Sequence, residues 1–349
     1  MTSHCSSFCV LSCSFDFLNQ TNPVDPPMAG TLLNKPGFRH LLTRFTTSRR
    51  SLQTLAYEEV RATTATPYHS TAFVLHGLLG SARNWRSFSR ALLSNISDPS
   101  GWRLVLVDLR NHGKSAGIEG LNRPHDLVNA AQDLADLVKS ENWDWPDVVL
   151  GHSMGGKVAL QFAQSCAAGH YGDHAKLPKQ LWVLDSVPGE VNPIHSDGDV
   201  KRVLKTLQGL PSTVPSRKWL VNHMIELGFS KSLSEWIGTN LKKVGDHETW
   251  AFNLDGAVEM FKSYWEKSCV PLLEHPPKDM EIAIVRAENS DRWDPEVIQQ
   301  LESLASRERD GSEGKVSLHV LPKSGHWVHV DNPKGLLEIV APKISSLSN

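Results

Sequence analysis

The stretch VVLGHSMGGKVAL, residues 148–160, satisfies two incompatible templates. Gly151 to Gly155 spell G-x-S-x-G, the sharp strand-to-helix turn that lifts a serine nucleophile above a sheet. Gly151 to Lys157 spell G-x-x-x-x-G-K, most of a phosphate-binding loop. A phosphate loop needs Ser or Thr directly after its lysine, because that hydroxyl ligates the magnesium ion bridging the phosphates. Here the position is Val158. Asp185, at the end of the apolar run LWVLD, resembles a magnesium-holding carboxylate, but doubly wound sheets supply such strand ends routinely. The serine turn, by contrast, demands small residues around the nucleophile, and Gly151, Gly155 and Gly156 meet that demand. The residues therefore favour Ser153 as a nucleophile over Lys157 as a phosphate ligand.

Outward from this turn, apolar runs of strand length alternate with segments of helical periodicity. TAFVLHG (71–77), WRLVLVD (102–108), DVVLGHS (147–153), KQLWVLD (179–185), EIAIVRA (281–287) and KVSLHVLP (315–322) are short β-branched runs without flanking polar alternation, the pattern expected of buried parallel strands. Trp85, Phe88, Leu92 and Ile96 share one helical face, and so do Leu127, Ala131, Leu134 and Val138, which predicts crossover helices. Asp294-Pro295 and Asn332-Pro333 signal the starts of two later helices. The expected fold class is α/β, a doubly wound and mostly parallel sheet. Between about 188 and 278 the alternation stops, and the region reads as a helical lid inserted over the sheet, without an intervening strand.

The chain has 349 residues, 40% of them hydrophobic, enough for one large core with an insertion. Its 36 basic and 38 acidic residues nearly cancel, so the basic footprint of a nucleic-acid binder is missing. No run of apolar residues is long enough to predict a transmembrane segment. Residues 28–57 contain no Asp or Glu, five Lys or Arg and seven Ser or Thr, the composition of an organelle transit peptide. Residues 1–51 are therefore expected to be a leader, mitochondrial ahead of plastid, with 52–349 as the body and Met28 as an alternative start. Without import the protein would be cytoplasmic. Cys5, Cys9 and Cys13 have no accompanying histidine or carboxylate set beyond His4, and Cys166 and Cys269 read as buried thiols rather than a disulfide framework.

Acyl chemistry needs further parts. HGLLGS (76–81) follows a strand, and its glycines allow close backbone approach. The N–H groups of Leu78 and Met154 are the candidate donors to a developing oxyanion. A serine hydroxyl also needs a histidine base. His326, in KSGHWVHVDNP (323–333), follows the last predicted strand and so falls at the sheet edge from which Ser153 projects. His275, His319 and His329 lack that context.

HGLLGS, VDLRNHGKS (107–115), GHSMGGKVAL and GHWVHVDNP together resemble the α/β-hydrolase fold, specifically its abhydrolase-domain 11-like branch of serine esterases. The resemblance spans about 70–345 and implies the order nucleophile, acid, histidine. Most such enzymes place the acid after the penultimate strand, where the count falls on Ser290 and Asp291 is one step late. In the branch resembled, a serine stands there and an aspartate stands at Asp185, so Asp185 is the first choice and Asp291 the second. Asp255 is an outside choice whose simpler role is a helix N-cap. Asp108 and Arg110 are read as bracing the turn after their strand.

The expected activity is hydrolysis of carboxylic esters or thioesters by a serine hydrolase, through an acyl-enzyme. Ser153 attacks, His326 moves the proton and Asp185 or Asp291 orients it. No cofactor or metal is required. The expected partner is a small-molecule acyl ester or thioester, for a monomer or small homo-oligomer. Trp219, Trp236, Trp250, Trp265, Met224, Leu227, Phe252 and Phe261 give the lid apolar faces, mostly for packing, with a few free to line an acyl passage. Two rivals use the same scaffold, a ligand-binding receptor with little turnover and a lyase or C–C bond hydrolase.

Overall fold

The apolar runs of the sequence become neighbouring strands of one seven-stranded sheet. The structure, a computed structural model, describes residues 54–64, 67–192, 198–309 and 311–348. The expected leader, the alternative start at Met28 and the three N-terminal cysteines lie outside the described residues.

Chain order runs β1 (Tyr57–Val60), β2 (Ser70–Leu75), α1 (Arg86–Asn95), β3 (Trp102–Val107), α2 (Leu127–Ser140), β4 (Val148–His152), α3 (Met154–Ala167) and β5 (Gln180–Leu184). The insertion follows with α4 (Gly198–Gly209), β6 (Thr213–Val214), α5 (Arg217–Glu226), α6 (Lys231–Gly238), β7 (Leu241–Val244), β8 (His247–Trp250), α7 (Leu254–Glu266) and α8 (Val270–Glu274). The sheet resumes with β9 (Glu281–Ala287), α9 (Pro295–Ser306), β10 (Lys315–Leu321), α10 (Val328–Asp331) and α11 (Pro333–Ser345). Strand order is β1-β3-β2-β4-β5-β9-β10, parallel throughout except for β1, which pairs antiparallel with β3.

Alternate residues of the central strands feed two cores. Phe73, Val105, Val149 and Leu181 pack on the side of α2 and α3, while Ala72, Leu104, Leu150 and Trp182 pack on the side of α1 and α11. Full burial of such side chains contributes roughly 1.5–3 kcal/mol each, which fixes the register of every central strand. The N-caps expected at Asp294 and Asn332 form, accepting from the N–H groups of Glu296 and Gly335. Cys166 and Cys269 are buried free thiols.

The insertion departs from expectation, because it holds a small antiparallel sheet of order β6-β8-β7 besides its helices. Val244 pairs with His247, so Gly245 and Asp246 form a two-residue turn, with Gly245 at φ +59°. Only a residue tolerant of positive φ closes such a hairpin. Asp255 also differs from expectation: Asn253 caps α7 by accepting from the N–H of Gly256, and Asp255 lies in the first turn. Among the described residues, no helix is long and apolar enough to cross a membrane.

Candidate active site

Ser153 sits between β4 and α3 at φ 52°, ψ −123°, a conformation that costs a non-glycine residue roughly 1–3 kcal/mol unless its surroundings enforce it. Two hydrogen bonds hold the turn. The Ser153 N–H donates to the Leu184 carbonyl at 2.9 Å, and the Gly156 N–H donates to the Ser153 carbonyl at 2.8 Å. A Cβ on Gly151 would stand 2.1 Å from the Gly155 carbonyl oxygen, and one on Gly155 would stand 2.5 Å from that of His76. No side chain fits either place, which is why the turn reads G-x-S-x-G.

Lys157 has a different occupation from the one the phosphate-loop template assigns. Its ammonium is fully buried and donates to the carbonyls of Gly189 at 2.6 Å, Lys267 at 2.9 Å and Tyr264, with the Tyr264 ring 4.3 Å away. Gly189 opens the insertion, and Tyr264 and Lys267 belong to its return. The Cys269 N–H donates to the Pro188 carbonyl, and the Val191 N–H to that of Trp265. Lys157 thus fastens the neck of the insertion to α3.

His326, on the loop between β10 and α10, meets the carboxylate at the tip of β5. His326 Nδ1 and Asp185 Oδ2 are 2.7 Å apart. The same oxygen accepts from Ser290 Oγ at 2.7 Å, while Oδ1 accepts from Trp293 Nε1 at 2.6 Å and the Ala287 N–H at 3.0 Å. Burial acts to raise the Asp185 carboxyl, but the hydrogen bond and charge of His326, then Trp293 and Ala287, outweigh it and hold the group below its ordinary value. It remains an acceptor-only anion at neutral pH. Asp291 is exposed on the cavity wall, and Ser290, at the position the usual count reaches, serves Asp185 instead.

With Nδ1 turned to Asp185, the other imidazole nitrogen of His326 is the one that can serve a substrate or nucleophile. His326 and Ser153 line one cavity of about 300 Å³, together with Leu78. His76 shapes the Leu78 loop: its Nε2 accepts from the Leu109 N–H at 3.0 Å, so its proton is on Nδ1, donated to the Gly77 carbonyl at 2.8 Å. Burial pushes this histidine down to about 4, so it stays neutral. Gly77 lets the loop approach the turn, since a Cβ there would lie 3.1 Å from the Ser153 Cβ. Met154 is the first residue of α3, where a backbone N–H has no intrahelical acceptor. Its side chain is buried in the core.

Sequence reasoning missed His152 and Trp293, named Ser290 only as the usual acid position, and set His329 aside for want of context. His152 Nε2 donates to the His326 carbonyl at 2.8 Å, bracing the loop that carries the imidazole. Burial, then the nearby His326 and His329, hold His152 well below its ordinary value. The only available signal was its place beside Ser153, which every G-x-S-x-G turn fills with some residue. Of the insertion's large residues, Trp236 and Phe261 reach the cavity along with Val203 and Leu233. Met224, Trp250 and Phe252 pack in the core, and Trp219 and Leu227 are exposed. Among the described residues, no cluster of three or more His, Cys, Asp or Glu could hold a metal.

Comparison with known proteins gives the family and the fold. The model of a family described as the alpha/beta hydrolase family matches residues 72–339. The chain is 26% identical over 270 residues to the sn-1-specific diacylglycerol lipase ABHD11 of Mus musculus, covering 76% of this chain and 78% of that protein. It is 26% identical to Esterase YbfF of Escherichia coli strain K12, covering 80% and 96%. Among solved structures, a marine microorganism esterase superposes with a TM-score of 0.64 at 22% identity, covering 82% and 97%.

Proposed function

The chain belongs to the alpha/beta hydrolase family and is similar to its ABHD11-like branch, and from that premise we propose that it is a serine hydrolase of carboxylic esters or thioesters, acting through an acyl-enzyme. The observation that carries this reading is the 2.7 Å contact between His326 and a buried, fully hydrogen-bonded Asp185, on a cavity that Ser153 shares. Relatives named lipase and esterase support an esterase-type hydrolase.

Ser153 Oγ attacks the acyl carbon while His326 takes its proton. Asp185 fixes the tautomer of His326 and stabilises the imidazolium as it forms. The tetrahedral oxyanion accepts from the N–H groups of Leu78 and Met154, the second already aimed by the turn. His326 then returns the proton to the departing alcohol or thiol, and water repeats the sequence to release the acid. Removing the nucleophile or one oxyanion donor costs several kcal/mol of transition-state stabilisation. The apolar side chains of Val203, Leu233, Trp236 and Phe261 in the cavity lining suit an acyl chain and exclude water from it.

Steady-state release from a p-nitrophenyl acyl series, run on the body without its leader, tests the activity. Sustained turnover supports the enzyme, whereas release that stops at about one equivalent supports the receptor reading. For the leader we propose mitochondrial import, checked by determining the mature N-terminus of protein extracted from its native cells.

A further inference from the structure

Asn84, Trp85 and His329 line the wall of the cavity beside His326. The Asn84 amide orientation is settled by its neighbours. Its Oδ1 accepts from the Ser81 N–H at 2.7 Å and from Ser81 Oγ at 3.4 Å, a role that only oxygen can fill for a backbone N–H. Its Nδ2 makes no hydrogen bond among the described residues, so two N–H donors remain uncommitted on a side chain that is only part-buried.

The His329 ring stacks on Trp85, with centroids 4.0 Å apart and planes at 24°. Its Nδ1 is buried without a hydrogen-bond partner, although the residue as a whole is part-exposed, so the edge open to the cavity is the Nε2 side. An unpaired buried lone pair is more easily tolerated than an unpaired buried N–H, and this places the proton on Nε2 as a donor. Burial, then repulsion from His326, pushes His329 down to about 4, so it stays neutral at working pH. From the insertion the same cavity receives Val203, Leu233, Trp236 and Phe261, together with Val200 and Ser230.

The donors on Asn84 and His329 stand on the same cavity as His326, and the chemistry of the leaving group assigns them to one half of the substrate. A general acid must stand beside the leaving oxygen it protonates, so the alcohol half lies next to His326. His329 follows His326 by three residues, and His152 lies between the two rings, at 4.6 Å from His326 and 5.7 Å from His329. We propose that Asn84 and His329 form a polar subsite for the alcohol half of the ester, selecting leaving groups that carry a hydrogen-bond-accepting oxygen beyond the scissile bond. The subsite rests on the serine-hydrolase reading above and names the side of the substrate that reading leaves open. Both residues act in positioning, and neither exchanges a proton with the reacting atoms.

The test compares 2-methoxyethyl butanoate with butyl butanoate, which share an acyl group and nearly the same length but differ by one accept-only ether oxygen. In the wild-type protein kcat/KM favours the methoxyethyl ester. Asn84→Ala and His329→Phe each lower that preference about three- to tenfold, mostly through KM, as loss of one neutral hydrogen bond implies. His329→Gln, which keeps an N–H at similar reach, recovers part of it. An unchanged preference in both variants overturns the proposal, and so does an equal fall for both esters, which marks general damage. Fluorophosphonate labelling of wild-type Ser153 tests the underlying reading separately: a labelled serine with no alcohol preference sinks the subsite alone.

Discussion

His326 Nδ1 and Asp185 Oδ2 stand 2.7 Å apart although 141 residues separate them in the chain. Asp185 occupies the tip of β5 at φ 43°, held by Ser290, Trp293 and the Ala287 N–H, so its carboxylate has one direction left in which to work. Asp185→Asn puts an uncharged amide where the imidazolium needs a carboxylate. We expect kcat on a p-nitrophenyl ester to fall about 10³–10⁴-fold. Asp291→Asn, on the exposed cavity wall, changes kcat by no more than about twofold. The reverse ranking of the two variants would reassign the acid.

Stability should fall on mild acidification, and the buried histidines give the sign. His76 and His112 are 1% and 0% exposed, and burial first of all lowers them from 6.5 to about 4 and about 3. The unfolded chain protonates them as pH drops below about 6.5, while the folded chain does not, so stability is complete above that value and is lost on the way down. Each costs about 2 kcal/mol at pH 5. Asp185 adds a loss of the same direction only at lower pH, as the solution passes below its ordinary carboxyl value and through its lowered folded one. Urea unfolding at pH 7.5 and pH 5.0 should show a drop of several kcal/mol, and equal midpoints would contradict this account.

Lys157 binds two ends of the insertion to α3 through three carbonyls. Lys157→Met keeps the length but leaves those carbonyls without their donor, at about 1–3 kcal/mol each. Thermal and denaturant unfolding should register a loss of about 3 kcal/mol or more. Magnesium and ATP should leave the melting temperature of the wild-type protein unchanged, since no donor of that ammonium is free for phosphate in the phosphate-loop manner. A nucleotide-dependent rise would revive the rival template for this stretch.

Legibility in the sequence followed burial. The six apolar runs became β2, β3, β4, β5, β9 and β10 with ends shifted by no more than a residue or two: β2 to β5 and β9 are buried on both faces and so nearly continuously apolar, while β10, at the far edge and mostly part-buried, keeps enough apolar residues to read as a run. β1 was not legible, since YEEV lies at the sheet edge, mostly part-buried, and carries no such run. The β7–β8 hairpin, LKKV-GD-HETW, escaped for the same reason: its strands are largely exposed and polar, and only Gly245-Asp246 marks the turn. For the candidate site, the placement of Ser153 and His326 on one cavity could be anticipated, because turn chemistry and strand ends constrain them locally. The roles of Ser290, Trp293, His152 and His329 could not be read, because what defines each is a partner more than a hundred residues away, invisible to any local pattern.

The most direct test of the central claim is the site of covalent capture. Protein treated with a fluorophosphonate, digested and mapped by mass spectrometry should carry the adduct on Ser153, in the peptide containing GHSMGGK. Ser153→Ala should fold with an unchanged melting profile and take up no label. An adduct on another residue, or undiminished labelling of Ser153→Ala, would contradict the assignment of the nucleophile.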